Sequence, residues 1–146
     1  MRDAANSFQI KRVLSPASVA DNTAQVGQII DRAGYDAVTY AIATGSLADA
    51  DVTFTVLLEE SDASDLSGSN AVADVDMVSQ TSGTAPETAA GFRFDDDNEV
   101  RKLGYIGAKR YTRLTITPAA NASAALLAAV CVLSHPQRSP VTAAAA

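Results

Sequence analysis

Two segments with strictly alternating apolar residues constrain the fold more than any other feature. In the first, Val38, Tyr40 and Ile42 occupy every second position. In the second, apolar side chains occupy every second position from Val52 to Leu58. Successive side chains of a β-strand point to opposite faces, so this period of two predicts strands with one buried face. The connection at residues 44–51 is short enough for a hairpin or for a corner between two sheets.

The N-terminal segment predicts a shorter strand. Residues 8–14 have a weak strand pattern, and Ser15 and Pro16 follow directly. Proline lacks a backbone donor and favours turns, so we expect this strand to end at Ser15. Residues 15–23 then read as a polar loop, and an apolar pattern resumes over residues 25–31.

The C-terminal third predicts two more strands. Residues 110–117 alternate, with Leu114 and Ile116 facing inward, and we expect Pro118 to end that strand. Residues 124–133 are ambiguous, because alanine and leucine favour helix whereas Val130 and Val132 favour strand. The length of this run and the prolines on either side predict a fully buried final strand.

About eight short strands without a clear helix predict an all-β fold, an antiparallel β-sandwich or barrel. A jelly roll is the favoured version. An immunoglobulin-like sandwich remains an alternative, although its Cys-Trp-Cys pattern is missing.

The length of 146 residues predicts a single domain over residues 1–146, with extended termini at about 1–7 and 137–146. Residues 59–90, rich in Ser, Asp, Ala, Gly and Thr, predict a long surface excursion with one short edge strand around 72–79.

Charge is distributed unevenly along the chain. Residues 49–99 hold thirteen carboxylates and one arginine, whereas residues 100–146 hold six basic side chains and no acidic one. Opposite charges of this kind either neutralise each other within one chain or contact complementary patches on neighbouring subunits. The sequence pI of about 4.5 argues against nucleic-acid binding.

Catalytic chemistry finds little support in the residue pattern. His135 is the only histidine and has no G-x-S-x-G motif to accompany it. Cys131, the only cysteine, lies in an apolar run and is expected to be a buried, inert thiol. A small hydrolase or isomerase would have to use Asp or Glu pairs, and most of these fall in the predicted excursion. We therefore predict a protein that is not an enzyme and has no cofactor.

Three acidic residues alternate in the manner of calcium ligands: Asp95, Asp97 and Glu99. The EF-hand pattern fails, because Val100 stands where its glycine belongs and Ile106 where its glutamate belongs. A solvated turn, in which Asp and Asn side chains bond their own backbone, is the favoured interpretation. No metal site is therefore predicted.

A basic and aromatic group near residue 110 is the candidate interaction surface. It consists of Lys109, Arg110, Tyr111 and Arg113, referred to below as the basic cluster. An ordinary solvent-exposed strand face is the alternative. Asn121-Ala122-Ser123 matches a glycosylation acceptor, but the N-terminus has no apolar stretch of a signal peptide and no run approaches a membrane span. The chain is expected to be made in the cytoplasm.

The strand segments resemble a known class of proteins. The resemblance lies in YDAVTYAIATGSL at residues 35–47, DVTFTVLLEES at 51–61 and VRKLGYIGAKRYTRLTITP at 100–118, and it spans about residues 8–136. Together they resemble the structural proteins of tailed bacteriophages, and among these most closely the jelly-roll capsid cement, or decoration, proteins of HK97-type shells.

The resemblance implies a structural virion protein on the capsid exterior, assembled in the bacterial host cytoplasm. It implies self-association as a dimer or trimer and binding to a major capsid protein of HK97-type fold, with no direct contact with nucleic acid, membrane or a small-molecule substrate. It carries no catalytic residues. The basic cluster would then meet acidic groups on a neighbouring subunit. The competing interpretation is a receptor- or carbohydrate-binding jelly roll of the tail.

Overall fold

The computed structural model describes residues 3–141, and its regular structure is almost entirely β. The strands are β1 (Gln9–Val19), β2 (Gln25–Val26), β3 (Ile30–Asp31), β4 (Tyr35–Leu47), β5 (Thr53–Ser61), β6 (Asn70–Ala71), β7 (Met77–Ser79), β8 (Phe92–Arg93), β9 (Val100–Tyr105), β10 (Tyr111–Ala119) and β11 (Ala125–Pro136). One helix, α1 (Pro86–Ala90), and single 3-10 turns at Ala5–Ser7 and Asp74–Asp76 complete the elements.

The strands form two antiparallel sheets with jelly-roll order. The first sheet runs β1-β11-β4-β9-β7 and the second β2-β10-β5-β6, with β3 pairing β10 and β8 pairing β5. β2 and β3 together form one interrupted edge strand, and β6 and β8 form the opposite edge. Thus β1 pairs with β11, the interrupted strand β2/β3 pairs with β10, β4 pairs with β9, and β5 pairs with β8. This nested pairing is the path of a jelly roll. The predicted antiparallel β-sandwich is confirmed, with β7 as an added edge strand.

The core fills the space between the sheets, and the two alternating segments supply much of it. Val38, Tyr40 and Ile42 on β4 are fully buried, as are Leu114 and Ile116 on β10. Along β5 the side chains at alternate positions from Phe54 to Leu58 point into the same core. The predicted faces of these strands are confirmed.

The predicted end of the first strand is wrong. β1 continues through Pro16 to Val19. The register between β1 and β11 shifts between Leu14 and Ala17, so the ladder skips Pro16. Because β1 also lies at a sheet edge, its proline removes no required donor.

The predicted end of the β10 strand at Pro118 is also wrong. β10 extends to Ala119, with Pro118 paired to Phe54 of β5. Pairing with β2 stops at Ile116, so at Pro118 one side of β10 has no neighbouring strand. A proline is tolerated at such a position.

The final strand is confirmed, but its complete burial is not. β11 alternates like the others, with Leu127, Ala129 and Cys131 buried, while Leu126 and Val130 are exposed. An unbroken apolar run therefore provides both the core and an outward apolar face.

Residues 59–90 contain more structure than a surface excursion. β5 extends to Ser61, and β7 lies at the edge of the first sheet. Leu66, Val72 and Met77 from this segment are buried. The helix α1, with Pro86 in its first turn, has no counterpart in the sequence-based prediction.

Parts of the predicted extended termini, residues 1–2 and 142–146, lie outside the described residues. The described parts contact each other, since the Val141 amide donates to the Asn6 carbonyl at 2.8 Å. Within residues 3–141, no helix is long and apolar enough to cross a membrane.

Candidate functional site

The basic cluster lies at one end of the second sheet. Lys109 and Arg110 belong to the loop between β9 and β10, and Tyr111 and Arg113 stand on β10. Thr112 and Leu114 alternate with them and are buried, so Tyr111 and Arg113 face outward. The structure thus brings the four predicted residues together on one surface.

Each cation of the cluster is bound to a carboxylate of the same chain. Lys109 Nζ lies 2.5 Å from Asp62 Oδ2. Arg110 makes a two-pronged contact with Asp31, at 2.9 and 2.8 Å. Arg113 donates twice to Glu59 Oε2, at 3.2 and 2.8 Å. The three cations of the cluster are therefore paired within the monomer, two of them with carboxylates of the acidic segment 49–99.

These contacts change the pKa values of several groups. Hydrogen bonding from Arg110 lowers the pKa of Asp31, and that from Lys109 lowers the pKa of Asp62. Reciprocally, the Asp62 carboxylate raises the pKa of Lys109. Each group is thereby held in its charged form.

Arg32 holds the loop that carries Lys109 and Arg110. Its guanidinium donates to the carbonyls of Lys109 at 2.6 Å, Gly107 at 2.8 Å and Tyr35 at 3.1 Å. It also lies 5.6 Å from the centre of the Tyr105 ring. One arginine, 75 or more residues away in sequence from Gly107 and Lys109, therefore positions the loop.

Tyr105 also holds this loop, through hydrogen bonds of its hydroxyl group. Its hydroxyl donates to Glu60 Oε2 at 2.6 Å and accepts from the Lys109 amide at 3.0 Å. Burial, followed by the contact with Glu60, raises the pKa of Tyr105. The sequence alone gave no sign of this network, because its members come from three separate segments, residues 32–35, residue 60 and residues 105–109.

The three candidate calcium ligands lie in a turn and engage other partners. Asp97 Oδ1 accepts from the Leu47 amide at 2.8 Å. Asp95 pairs with Arg93, and Glu99 pairs with Arg101 at 2.8 Å. Among residues 3–141, no group of three or more His, Cys, Asp or Glu side chains is placed to hold a metal ion. These three side chains therefore bond a distant strand and two arginines, and not the backbone of their own turn.

The two candidate nucleophile or base residues do not form a catalytic pair. Cys131 is buried in the core, and burial raises the pKa of its thiol to about 11. The Cys131 thiol is therefore held in its protonated form. His135 is exposed, with Nδ1 lying 3.2 Å from the Ser134 hydroxyl.

The sequon at Asn121 is closed to modification in the folded chain. Asn121 is buried, and its amide donates to the carbonyls of Val19 at 3.0 Å and Asp21 at 3.1 Å. It therefore fastens the loop after β10 to the end of β1.

A cleft of about 470 Å³ lies where α1 meets β5 and β8. Thr53, Thr55, Glu87 and Arg93 are among its lining residues. Burial raises the pKa of Glu87, whose carboxylate accepts from the Leu58 amide. The Phe54 and Phe92 rings stack on each other at 4.5 Å but are buried. Phe54 and Phe92 also line the cleft beside the polar groups, but their rings are too buried to form an exposed aromatic platform.

The second surface of interest is the outer face of the first sheet. It comprises the outward side chains of five neighbouring strands: Ile10, Arg12 and Ser18 on β1; Leu126, Ala128, Val130, Val132 and Ser134 on β11; Ala37, Thr39, Ala41, Ala43 and Gly45 on β4; Val100, Lys102 and Gly104 on β9; and Val78 on β7. The set contains no carboxylate and only two charged side chains, in a chain of net charge -6. Large exposed apolar patches mark interaction sites.

This outer face escaped the sequence-based prediction, although its signal was present. The small residues between the core positions of β4 and the valines of β11 are its centre. A Cβ on Gly45 would lie 2.9 Å from the Leu126 Cβ, and one on Gly104 would lie 2.9 Å from the Val78 Cβ. Glycine therefore leaves room for the large neighbouring side chains.

Comparison with known proteins finds similarity to solved structures at low identity. No family model and no curated protein matches the chain. A solved structure described as Bacillus endospore appendages that form disulfide-linked pili shares 14% identity over 88% of both chains, with a TM-score of 0.41. The xylan-binding module CBM15 shares 13% identity over 93% of this chain and 95% of its own, with a TM-score of 0.40.

A third similar structure contains the CBM22-1 and GH10 modules of Clostridium thermocellum xylanase 10B, in complex with xylohexaose. It shares 12% identity over 96% of this chain, with a TM-score of 0.45. The chain spans only 28% of that protein. At these identities and scores, no ligand or activity is carried over to this chain.

Proposed function

We propose that this chain is a non-enzymatic structural protein of a virion. It binds the outside of a phage capsid and stabilises contacts between major capsid subunits of HK97-type fold. The observation that carries the proposal is the outer face of the first sheet, a broad apolar surface free of carboxylates on an otherwise acidic jelly roll. Such a surface suits permanent contact with other proteins, because burying it removes apolar area from water.

The fold suits this role mechanically. Long pairings stabilise the centre of both sheets, since β4 pairs with β11 from Tyr35 to Leu47 and β5 pairs with β10 from Thr53 to Ser61. A rigid scaffold lets one molecule contact several shell subunits at once. Contacts that are individually modest then combine through high effective concentration, without any deep pocket.

The experiment mixes the purified chain with expanded shells that lack it. Occupancy and the temperature at which the shells rupture are both measured. We expect saturable binding and a higher rupture temperature. An unrelated β-sandwich protein of similar size and charge is the control. Absence of binding, or binding without any rise in rupture temperature, would contradict a cementing role.

The cleft between α1 and β5 favours a second candidate, a carbohydrate- or receptor-binding module of the tail. Its polar lining could hydrogen-bond a sugar, whereas the burial of Phe54 and Phe92 leaves it without the stacking surface that sugars favour. A glycan-array screen separates the two functions. Binding that is lost on Glu87→Gln would favour the tail module.

A further inference from the structure

The edge strand beside β5 is interrupted. β8 pairs with residues 53–54 of β5, and β6 pairs with residues 59–60. Within residues 3–141, no strand pairs with residues 55–58 on this side. The cleft between α1 and β5 lies at this interruption, since Val56 is among its lining residues. Backbone groups that a sheet edge leaves unpaired are able to bond a ligand, so the cleft offers backbone as well as side-chain contacts.

The direction of the backbone bonds determines which groups of β5 face the cleft. The Leu58 amide donates to Glu87 Oε1 at 2.5 Å, and the Leu58 carbonyl accepts from the Val72 amide at 2.9 Å. The backbone groups of Leu58 therefore point toward α1 and away from β10. In a β-strand, the N–H and C=O of every second residue point the same way. Val56 therefore directs its amide and its carbonyl into the cleft.

Pro118 provides an independent check of this orientation. It lies opposite Phe54 in the pairing of β5 with β10. Proline has no amide hydrogen, so it suits a position in the ladder where the opposite residues exchange no hydrogen bonds. Phe54 then bonds on its other side, where it pairs with Phe92 of β8. Val56 follows Phe54 by two positions and has the same orientation.

The amide and carbonyl of Val56 have no protein partner on this side. β8 pairs with Phe54 and β6 with Glu60, while Leu58 is bonded as described above. In the part of the chain that the structure describes, no strand pairing or turn bond reaches Val56 from the cleft side. Backbone groups of this kind rarely stay without a partner in a folded chain. A ligand with one acceptor and one donor would satisfy both groups.

Glu87 places a second acceptor beside the Val56 carbonyl. Its Oε1 is held at the Leu58 amide, which is the next donor along the same edge of β5. Among residues 3–141, no cation pairs with Glu87. The Glu87 carboxylate is therefore able to accept another hydrogen bond. Along the cleft, the Val56 amide, the Val56 carbonyl and the Glu87 carboxylate form the order donor, acceptor, acceptor.

We propose that the cleft binds a primary carboxamide, the side chain of a glutamine or asparagine of a partner protein. The carboxamide oxygen accepts from the Val56 amide, and one carboxamide N–H donates to the Val56 carbonyl. The second N–H donates to Glu87. A carboxamide has one acceptor oxygen and two donors on its nitrogen, which complements the order of groups in the cleft. The inference goes beyond the proposed function, which rests on the outer face of the first sheet.

Other ligand groups complement the cleft less well. A secondary amide, such as the acetamido group of a sugar, holds its N–H and C=O on opposite sides, so it cannot bond both groups of Val56. A carboxylate has no donor and would face the Glu87 carboxylate. A longer extended segment would meet β8 on one side of Val56 and Val72 on the other. Adenine also has an acceptor beside an amino group, but Phe54 and Phe92 are too buried to stack on a base.

The size and lining of the cleft suit a side chain that enters from outside. Its volume of about 470 Å³ lies within the range of roughly 300–1,000 Å³ that is usual for ligand sites. Thr53, Thr55 and Thr88 line the cleft and are exposed. Their methyl groups are available to contact the apolar stem of a glutamine or asparagine, while the backbone of Val56 bonds its end.

The experiment titrates the isotopically labelled full chain with two capped peptides and follows the Val56 and Leu58 amides by NMR. One peptide has glutamine at its centre and the other has glutamate, and the two backbones are identical. With the glutamine peptide we expect saturable shifts of both amides and a Kd of about 1–10 mM, at least about tenfold weaker with the glutamate peptide. Equal binding of the two peptides overturns the proposal. So does the absence of a saturable shift up to about 50 mM of the glutamine peptide.

Glu87→Gln tests the contact with the carboxylate. The new amide group would place a donor against the donor of the ligand, so binding of the glutamine peptide should weaken at least about fivefold. Glu59→Gln is the matched control, since Glu59 is also partly buried and stands on β5 outside the cleft. Circular dichroism establishes that both variants are folded. If Glu87→Gln unfolds the chain, the comparison of the two peptides on the unchanged chain decides.

Two further results would overturn the proposal. One is equal weakening of peptide binding by Glu87→Gln and Glu59→Gln. The other is adenosine that shifts the same two amides at a lower concentration than the glutamine peptide, because the site would then favour a base over a protein side chain. None of these measurements involves shells, so their outcome is independent of the proposed function.

Discussion

The hydroxyl groups of Tyr40 and Thr112 lie 2.6 Å apart and form a buried hydrogen bond between the two sheets. Tyr40 stands on β4 of the first sheet and Thr112 on β10 of the second, and neither side chain is exposed. Burial raises the pKa of Tyr40, so its hydroxyl stays protonated. The bond therefore joins two neutral groups that have no access to water.

Removing one partner of this bond is expected to destabilise the fold. Thr112→Val leaves the Tyr40 hydroxyl buried without its partner, at a cost of about 1–3 kcal/mol in the free energy of unfolding. The double variant Tyr40→Phe with Thr112→Val should recover most of that loss, because neither polar group remains. Urea-induced unfolding measures both, with the exposed Thr117→Val as control. A double variant less stable than either single variant would contradict this account.

The faces of the main strands could be predicted from sequence because a period of two depends only on neighbouring residues. The continuation of β1 through Pro16 and of β10 through Pro118 could not. Whether a proline ends a strand depends on which side of the strand is unpaired, and that is a property of the assembled sheet. The outward face of β11 was missed for the same reason, since an unbroken apolar run conceals which side is buried.

The basic cluster was predicted as a group, but its carboxylate partners were not. Arg110 and Asp31 are 79 positions apart, and Arg113 and Glu59 are 54 apart. The opposite charges of residues 49–99 and 100–146 indicated that neutralisation was possible for Arg113, whereas Asp31 lies outside both segments. The pairings themselves follow from the alignment of β10 beside β3 and β5.

The Asp31–Arg110 contact predicts a dependence of stability on acid pH. Arg110 lowers the pKa of Asp31 in the folded chain below the ordinary value of about 3.9. The contact therefore contributes stability above about pH 4 and loses it as the pH falls through the lowered pKa. Arg110→Gln should reduce the stability lost between pH 5 and pH 2, as followed by urea midpoints. Arg138→Gln is the control, and equal losses in both variants would argue against the linkage.

Arg32 is expected to hold the loop between β9 and β10 in a fixed conformation. Lysine keeps the charge but lacks the planar fork, so Arg32→Lys cannot bond the three carbonyls that Arg32 reaches. Loss of one or two hydrogen bonds of about 1 kcal/mol each should speed exchange of the Lys109 amide about 5- to 30-fold. Hydrogen exchange by NMR measures this, with Arg12→Lys as control. An unchanged exchange rate of the Lys109 amide in Arg32→Lys would show that Arg32 does not hold this loop.

Cys131 is expected to be unreactive in the folded chain. The thiolate is the reactive form, and burial raises the pKa of this thiol to about 11. At pH 8 we therefore expect the native chain to resist a thiol reagent, and the same chain in denaturant to react fully with one equivalent. The rate in the native chain should follow the opening of the β1 to β11 pairing, which places Lys11 opposite Cys131. Thr112→Val, which weakens the contact between the sheets, should raise that rate, whereas the exposed Thr117→Val should not. A fast native reaction would show that the thiol is accessible and would reopen the question of nucleophilic chemistry.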